Sequence, residues 1–272
     1  MKRWKKQKNI FEIIGFGFEQ WWKNFVIVLP FIFNAVASTI TLIVLFLIFS
    51  SIFVASFPQA EMLKNLVIAK TFEATDIETL NSIFTPGVLA YFALAVIISV
   101  IVLALVKAYF YAGAIAMASE ICTMGKTKLS TMTKGSKFFL RYFLIEFILG
   151  IALLLWLFIF SLPFILSKNI SLIVIPFVSI LPLVFLYVLF LLPTYFLVLN
   201  DLNVWQAFAK SIEVVKKNYW TTFGLALIFL LMFVLENMVR IIPFVGFIGL
   251  LVSLLVIEPV RTIAFTIFAI ER

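Results

Sequence analysis

Residues 203–219 read NVWQAFAKSIEVVKKNY, and from 219 to 241 the chain continues as one almost unbroken apolar run. Trp205, Phe208, Ile212, Val215 and Tyr219 recur at the spacing of one helical face, while Gln206, Lys210, Glu213 and Lys217 fall on another. Asn203 followed three residues later by Gln206 is a capping-box pattern, and Glu213 and Lys217 are placed to pair one turn apart. A helix with aromatic residues on one face and lysines on another suits the membrane interface. An apolar run of about 20 residues behind it suits a bilayer crossing. The pattern is that of an amphipathic helix feeding a membrane-crossing one.

The same pattern stands at 9–25, NIFEIIGFGFEQWWKNF. Asn9 and Glu12 repeat the cap, Phe11, Ile14, Phe18, Trp21 and Phe25 the apolar face, and Glu19 and Lys23 the ion pair. Both segments end in Lys-Asn-aromatic, Lys23-Asn24-Phe25 and Lys217-Asn218-Tyr219. A weaker copy is 127–143, with Thr127 as cap, Leu129, Met132, Phe139 and Phe143 on the apolar face, and Lys134 and Arg141 on the polar one. Each copy precedes two apolar runs. The expected fold is all-α: a polytopic membrane protein of six transmembrane helices, arranged as three repeats of interfacial helix plus transmembrane hairpin. A single membrane domain over 1–272 divides into repeats at about 9–124, 125–200 and 201–272. Parallel repeats of this kind imply a pseudo-threefold axis along the membrane normal.

The six runs are roughly 25–56, 87–121, 140–167, 172–199, 219–241 and 244–269. Prolines lie within or near several of them, and no run is clearly broken by a Gly-Pro cluster at mid-membrane. Composition agrees with lipid as solvent: 64% of the 272 residues are hydrophobic, mean hydropathy is +1.20, and only 12% are charged. The net charge of +8 gathers in clusters at Lys2–Lys8, Lys126–Arg141 and Lys210–Lys217. All three flank apolar runs, which by the positive-inside rule puts them, and both termini, in the cytoplasm. They also suit anionic lipid heads, and no soluble segment is long enough to present a nucleic-acid-binding face. The basic start and apolar sequel resemble a signal peptide only superficially, and an uncleaved N-terminus is expected. The mildly acidic insert 58–86 is expected on the outer side, carrying a short surface helix.

The segment AFAKSIEVVKKNYWTTF at 207–223 and the ending EPVRTIAFTIFAIER at 258–272 resemble the membrane domain associated with glycerophosphoryl diester phosphodiesterases, and related six-helix prokaryotic families of unknown function. Phosphodiesterase activity in fused members belongs to a separate soluble domain, so the resemblance implies a six-helix membrane fold and no enzymatic activity.

Histidine is absent and Cys122 is the sole cysteine, which removes His-based catalysis, zinc sites of thiolate and imidazole, and internal disulfides. No cofactor is expected. Lys107, Glu120, Glu146, Glu236, Arg240, Glu258 and Arg261 lie in or near apolar runs, where a charge needs a partner or a water path. Lys107, Glu146, Glu258 and Arg261 are the candidate intramembrane polar cluster, and Glu236 with Arg240 a second ion pair. Ala112, Ala116 and Ser119 form a small-residue stripe suited to close helix approach. Trp21, Trp22, Trp205, Lys23 and Lys217 are the expected interfacial anchors. The function expected is a non-enzymatic protein of the cell membrane, a scaffold or subunit with a possible membrane-protein partner. The alternative is a transporter or lipid-handling permease using the polar cluster.

Overall fold

The computed structural model describes residues 8–61, 84–167, 174–240 and 245–272, and among them every regular element is helical. Helix α1 (Ile10–Lys23) leads through a 3-10 turn (Phe25–Val28) into α2 (Leu29–Ser56). Then come α3 (Pro86–Met124), α4 (Leu129–Ser136), α5 (Phe139–Ser167), α6 (Val174–Val188), α7 (Pro193–Asn200), α8 (Val204–Lys217) and α9 (Tyr219–Arg240). The chain ends with α10 (Val245–Val252), a π-helical turn (Ser253–Ile257) and α11 (Glu258–Glu271). Six stretches are long and apolar enough to cross a membrane: Phe25–Ser56, Pro86–Met124, Phe139–Pro163, Val178–Asn200, Tyr219–Met238 and Gly246–Glu271. They follow the six runs expected from sequence. The expected surface helix of the insert, the basic residues Lys2–Lys6, and the turns near Lys168 and Pro243 lie outside the described residues.

The chain forms two compact units, Ala35–Lys107 and Met1–Asn34 with Ala108–Arg272. The first is an apolar hairpin from α2 and the start of α3. Most of its large side chains, such as Phe46, Val54, Leu94 and Val96, face outward, as they would toward lipid. Its two helices are tied by Phe53, Phe57, Tyr91 and Phe92, whose rings contact one another, and the Tyr91 hydroxyl donates to the Phe49 carbonyl. Ring contacts of this kind fix the register of two helices that otherwise offer only slippery aliphatic surface.

The second unit holds the packed core. Helix α3 has 39 residues, about 58 Å at helical rise, against about 30 Å of hydrocarbon. Its far end, from Ala108 to Cys122, carries Ala112, Ile115, Met117 and Ile121, all buried. Helix α11 is buried from Pro259 to Ala269 except at Arg261. Helices α1 and α7 pack against α11, α4 packs against α3, and α8 packs on α7. The first and last described residues meet there as well: Lys8 Nζ stands 3.2 Å from Glu271 Oε1, and the Arg272 guanidinium donates to the Lys8 carbonyl at 3.4 Å.

Three close approaches hold this core. A Cβ built on Gly135 of α4 would stand 2.6 Å from the Ala112 carbonyl oxygen of α3, and closer still to the Ala116 methyl. On Gly17 of α1 it would stand 3.2 Å from the Val260 carbonyl oxygen of α11. At Ser211 of α8 the side chain itself reaches a carbonyl, Ser211 Oγ donating to Leu189 at 2.8 Å. The residue four places beyond Leu189 is Pro193, which has no N–H to give that carbonyl. Pro259, four places beyond Leu255, creates the same vacancy, and the Trp21 indole N–H fills it at 2.6 Å. An unpaired buried carbonyl costs about 1–3 kcal/mol, so each donor removes a penalty of that order. The small-residue stripe of α3 therefore seats α4. The fourth span is broken just ahead of Pro193, whereas the sixth stays helical through a π turn ahead of Pro259.

Helices α1 and α8 are alike in detail. Both have 14 residues, both begin with a complete Asn capping box, and both end at an Asn whose backbone N–H returns to two carbonyls of the last turn. The Glu19–Lys23 and Glu213–Lys217 pairs form as expected. Each carboxyl is held below its ordinary range chiefly by the hydrogen bond from that lysine. A lowered carboxyl favours the folded helix above the ordinary carboxyl range and loses that effect as pH falls through the folded value; in pairs this exposed the effect is small.

The expected apolar face of α1 divides in two. Phe11, Phe18, Trp22 and Phe25 point outward, while Ile13 and Gly17 are buried with Ile14 and Trp21 beside them. Helix α4 departs further. It has only eight residues, its N-cap is Lys128 with no side-chain cap, and Thr127 is not the cap expected of it. The hydroxyls of Thr127 and Thr131 instead donate to Glu120 of α3, at 2.6 Å each.

Gly15 and Gly17 share one helix turn, yet nothing lies within 4 Å of a Cβ at Gly15. Gly15→Ala is expected to raise stability by about 0.5–1 kcal/mol through helix propensity. Gly135→Ala is expected to lower it by about 1–3 kcal/mol through overpacking. Thermal unfolding of the detergent-solubilised protein, followed by helical circular dichroism, compares them. Equal tolerance of both would show that α4 does not seat on α3.

Candidate functional site

Where α11 begins, Glu258 and Arg261 lie three residues apart on one face and form an ion pair. Four helices add to the pair. The Tyr111 hydroxyl of α3 donates to Glu258 Oε2 at 3.2 Å. From α5, Tyr142 and Glu146 lie within electrostatic reach of Arg261 or of its neighbours, as does Tyr187 of α6. Tyr195 of α7 stands beside Thr262, whose hydroxyl donates to the Glu258 carbonyl at 2.9 Å. Four phenols, two carboxylates, a hydroxyl and one guanidinium thus gather between α3, α5, α6, α7 and α11.

Enclosure is incomplete. The Glu258 side chain keeps 16% of its surface accessible and Arg261 keeps 34%, although its neighbours in α11 are buried. A guanidinium presents donors in a rigid fork, and phenols both donate and accept. The arrangement can bind a polar or charged group through several hydrogen bonds. Among the described residues no group of His, Cys, Asp and Glu is arranged to hold a metal ion.

Of the expected cluster, Glu146, Glu258 and Arg261 belong to this gathering. Lys107 is the last residue of the hairpin unit and is half-buried there. Glu236 is buried, and the side chain of Arg240 lies outside the described residues. Among the anchors, Trp22 and Trp205 are strongly exposed, 77% and 72%, and Lys23 and Lys217 are exposed ion-pair partners. Trp21 turns inward to the Leu255 carbonyl. Sequence reading missed the four tyrosines and Thr262. The available signal was a hydroxyl carried into apolar runs where phenylalanine, with 33 copies, is the usual aromatic residue.

Residues 65–271 match the family model described as Domain of unknown function (DUF7847). The chain belongs to that family. The DUF7847 match covers every residue of the polar gathering together with α4 and α8, while α1 and α2 precede it. It bears out kinship with a family of unknown function and shows no link to the phosphodiesterase membrane domain. No curated protein and no solved structure matches the chain.

Removing one partner of a buried ion pair costs more than removing both. Glu258→Gln is expected to destabilise the protein by about 1–3 kcal/mol, below the cost at a sealed site because Arg261 keeps some solvent. Glu258→Gln with Arg261→Gln should recover most of that loss. Unfolding temperatures of the three proteins in one detergent test this, and a double variant as unstable as the sum of its parts would contradict the pairing.

Proposed function

We propose that this chain is a non-enzymatic multi-pass protein of the cell membrane, with both termini in the cytoplasm, that binds a polar solute or lipid at the Glu258–Arg261 gathering and handles it as a permease does. The observation that carries this reading is the accessibility of Arg261 amid helices that are otherwise closely packed. A purely structural ion pair gains from being sealed, whereas a binding group must be reachable. The break ahead of Pro193 adds support, since transporter sites form where spans are discontinuous, and so does the π turn ahead of Pro259, a feature frequent at functional sites. The scaffold or subunit reading rests on the small extramembrane mass and the outward aromatic residues of α1, which lipid alone also explains.

The three-unit organisation belongs to the same proposal. Its support is the matched caps of α1 and α8 and the three small residues at corresponding places, Gly17, Gly135 and Ser211. Each meets the second span of another unit: α4 meets α3, α8 meets the span ending in α7, and α1 meets α11. The order closes on itself, as a pseudo-threefold arrangement requires. Basic residues on α1, on α4 with its flanks, and on α8 support placing all three helices on the cytoplasmic side.

Native mass spectrometry of the protein extracted in native nanodiscs tests the functional reading. A small molecule or single lipid should accompany the wild-type chain and be lost from the Glu258→Gln, Arg261→Gln double variant. A stoichiometric protein partner with no such ligand would replace this reading with the scaffold one.

A further inference from the structure

A second polar concavity lies apart from the Glu258–Arg261 gathering, at the edge of α4. It is an open pocket of about 480 Å³ whose polar lining is Ser119, Lys134, Lys137, Asn200 and Asp201, with Phe138 among its apolar walls. That volume is in the range of small-molecule sites. Asp201 caps α7 in the left-handed backbone region, at φ 49°, which a short polar side chain tolerates better than most. Its carboxylate accepts from Arg141 at 3.0 Å and lies 3.9 Å from Lys137 Nζ. Lys134 forms no ion pair among the described residues. The carboxylate whose field reaches it, Glu120, is already hydrogen-bonded by Thr127 and Thr131. The lining therefore holds two lysines against the single Asp201 carboxylate, which Arg141 already engages, and the pocket carries an excess of positive charge.

The pocket's place along the chain says what meets that charge. Lys137 stands two residues before the third candidate span begins at Phe139, and the fourth ends at Asn200. Ser119 lies close to the end of the second. Residues at the ends of spans sit at headgroup depth, where acyl chains can follow the apolar wall while the head enters the polar mouth.

We infer that the pocket formed by Ser119, Lys134, Lys137, Asn200 and Asp201 binds the phosphate-bearing headgroup of an anionic membrane lipid. The inference rests on the membrane reading above but not on the Glu258–Arg261 site. The phosphate takes the place beside Lys134 and Lys137 that Asp201 leaves incompletely neutralised. Ser119 and Asn200 supply uncharged hydrogen-bonding groups for the rest of the head.

The test uses the full chain in phosphatidylcholine nanodiscs, titrated with short-chain phosphatidic acid or inorganic phosphate. Phosphatidic acid should bind, and Lys134→Gln with Lys137→Gln should weaken binding by roughly tenfold or more. Lys134→Arg with Lys137→Arg should retain it. Lys210→Gln with Lys217→Gln removes equal charge from α8 and should change binding less than about twofold. Equal weakening by both Gln pairs would overturn the proposal in favour of diffuse surface attraction. Binding indifferent to Lys134 and Lys137 would overturn it outright, and inorganic phosphate binding as tightly as the lipid would overturn the lipid assignment. Alkaline extraction of native membranes separates the two levels. A chain that washes out refutes the membrane reading, whereas a chain that stays while the lysines prove irrelevant refutes only the pocket.

Discussion

Backbone polar groups buried away from water must find partners inside the protein, and the core of this protein is organised around that constraint. Pro193 and Pro259 each deprive a carbonyl of its helical donor, and Ser211 and Trp21 restore a donor from neighbouring helices. Ala112 lies on a helix with no proline between Pro86 and Met124, so its carbonyl needs no outside donor, and there the neighbour is Gly135. The two arrangements solve one steric problem, the close approach of a short helix to the backbone of a long one. A larger side chain at any of the three places would hold the helices apart and, at Ser211, also leave a carbonyl unpaired.

The polar gathering depends on the same contacts. Arg261 follows directly on Val260, the residue against which Gly17 packs, and Tyr111 directly precedes Ala112, the residue against which Gly135 packs. Seating α1 and α4 therefore positions Arg261 and Tyr111. The π turn immediately before Glu258 shifts the helical register, so that Glu258 and Arg261 face a different side than an unbroken α-helix would give them. Packing, the π turn and polar chemistry meet within about one turn of each other on α11. This is why a reachable ion pair can persist in a core that is otherwise apolar.

The six spans were legible because bilayer thickness sets a length that few soluble helices combine with such apolarity. The caps at Asn9 and Asn203 were legible because a capping box is local, its two partners three residues apart. Thr127 was misread as the cap of α4. Glu120, which takes the Thr127 hydroxyl, belongs to the preceding helix and has no fixed spacing to it. Trp21 read as a lipid anchor because its true acceptor, Leu255, is 234 residues away. Glu258 and Arg261 were legible as a pair through their spacing. Tyr111, Tyr142, Tyr187 and Tyr195 were not, because in a chain this rich in phenylalanine a phenol reads as aromatic bulk until folding brings several together.

The account stands or falls on the seating of α1 against α11, the contact between the first and last helices of the chain. A Cβ at Gly17 would lie 3.6 Å from the Ala264 Cβ, a separation that suits a disulfide. With the buried Cys122 replaced by Ala, the pair Gly17→Cys and Ala264→Cys is the direct measurement, made by mild oxidation in native membranes. The account predicts that this pair cross-links efficiently, joining fragments cleaved by protease between the two helices. It also predicts that Phe11→Cys with Ala264→Cys does not, because Phe11 points outward. No cross-link at Gly17, or equal cross-linking from Phe11, would contradict it.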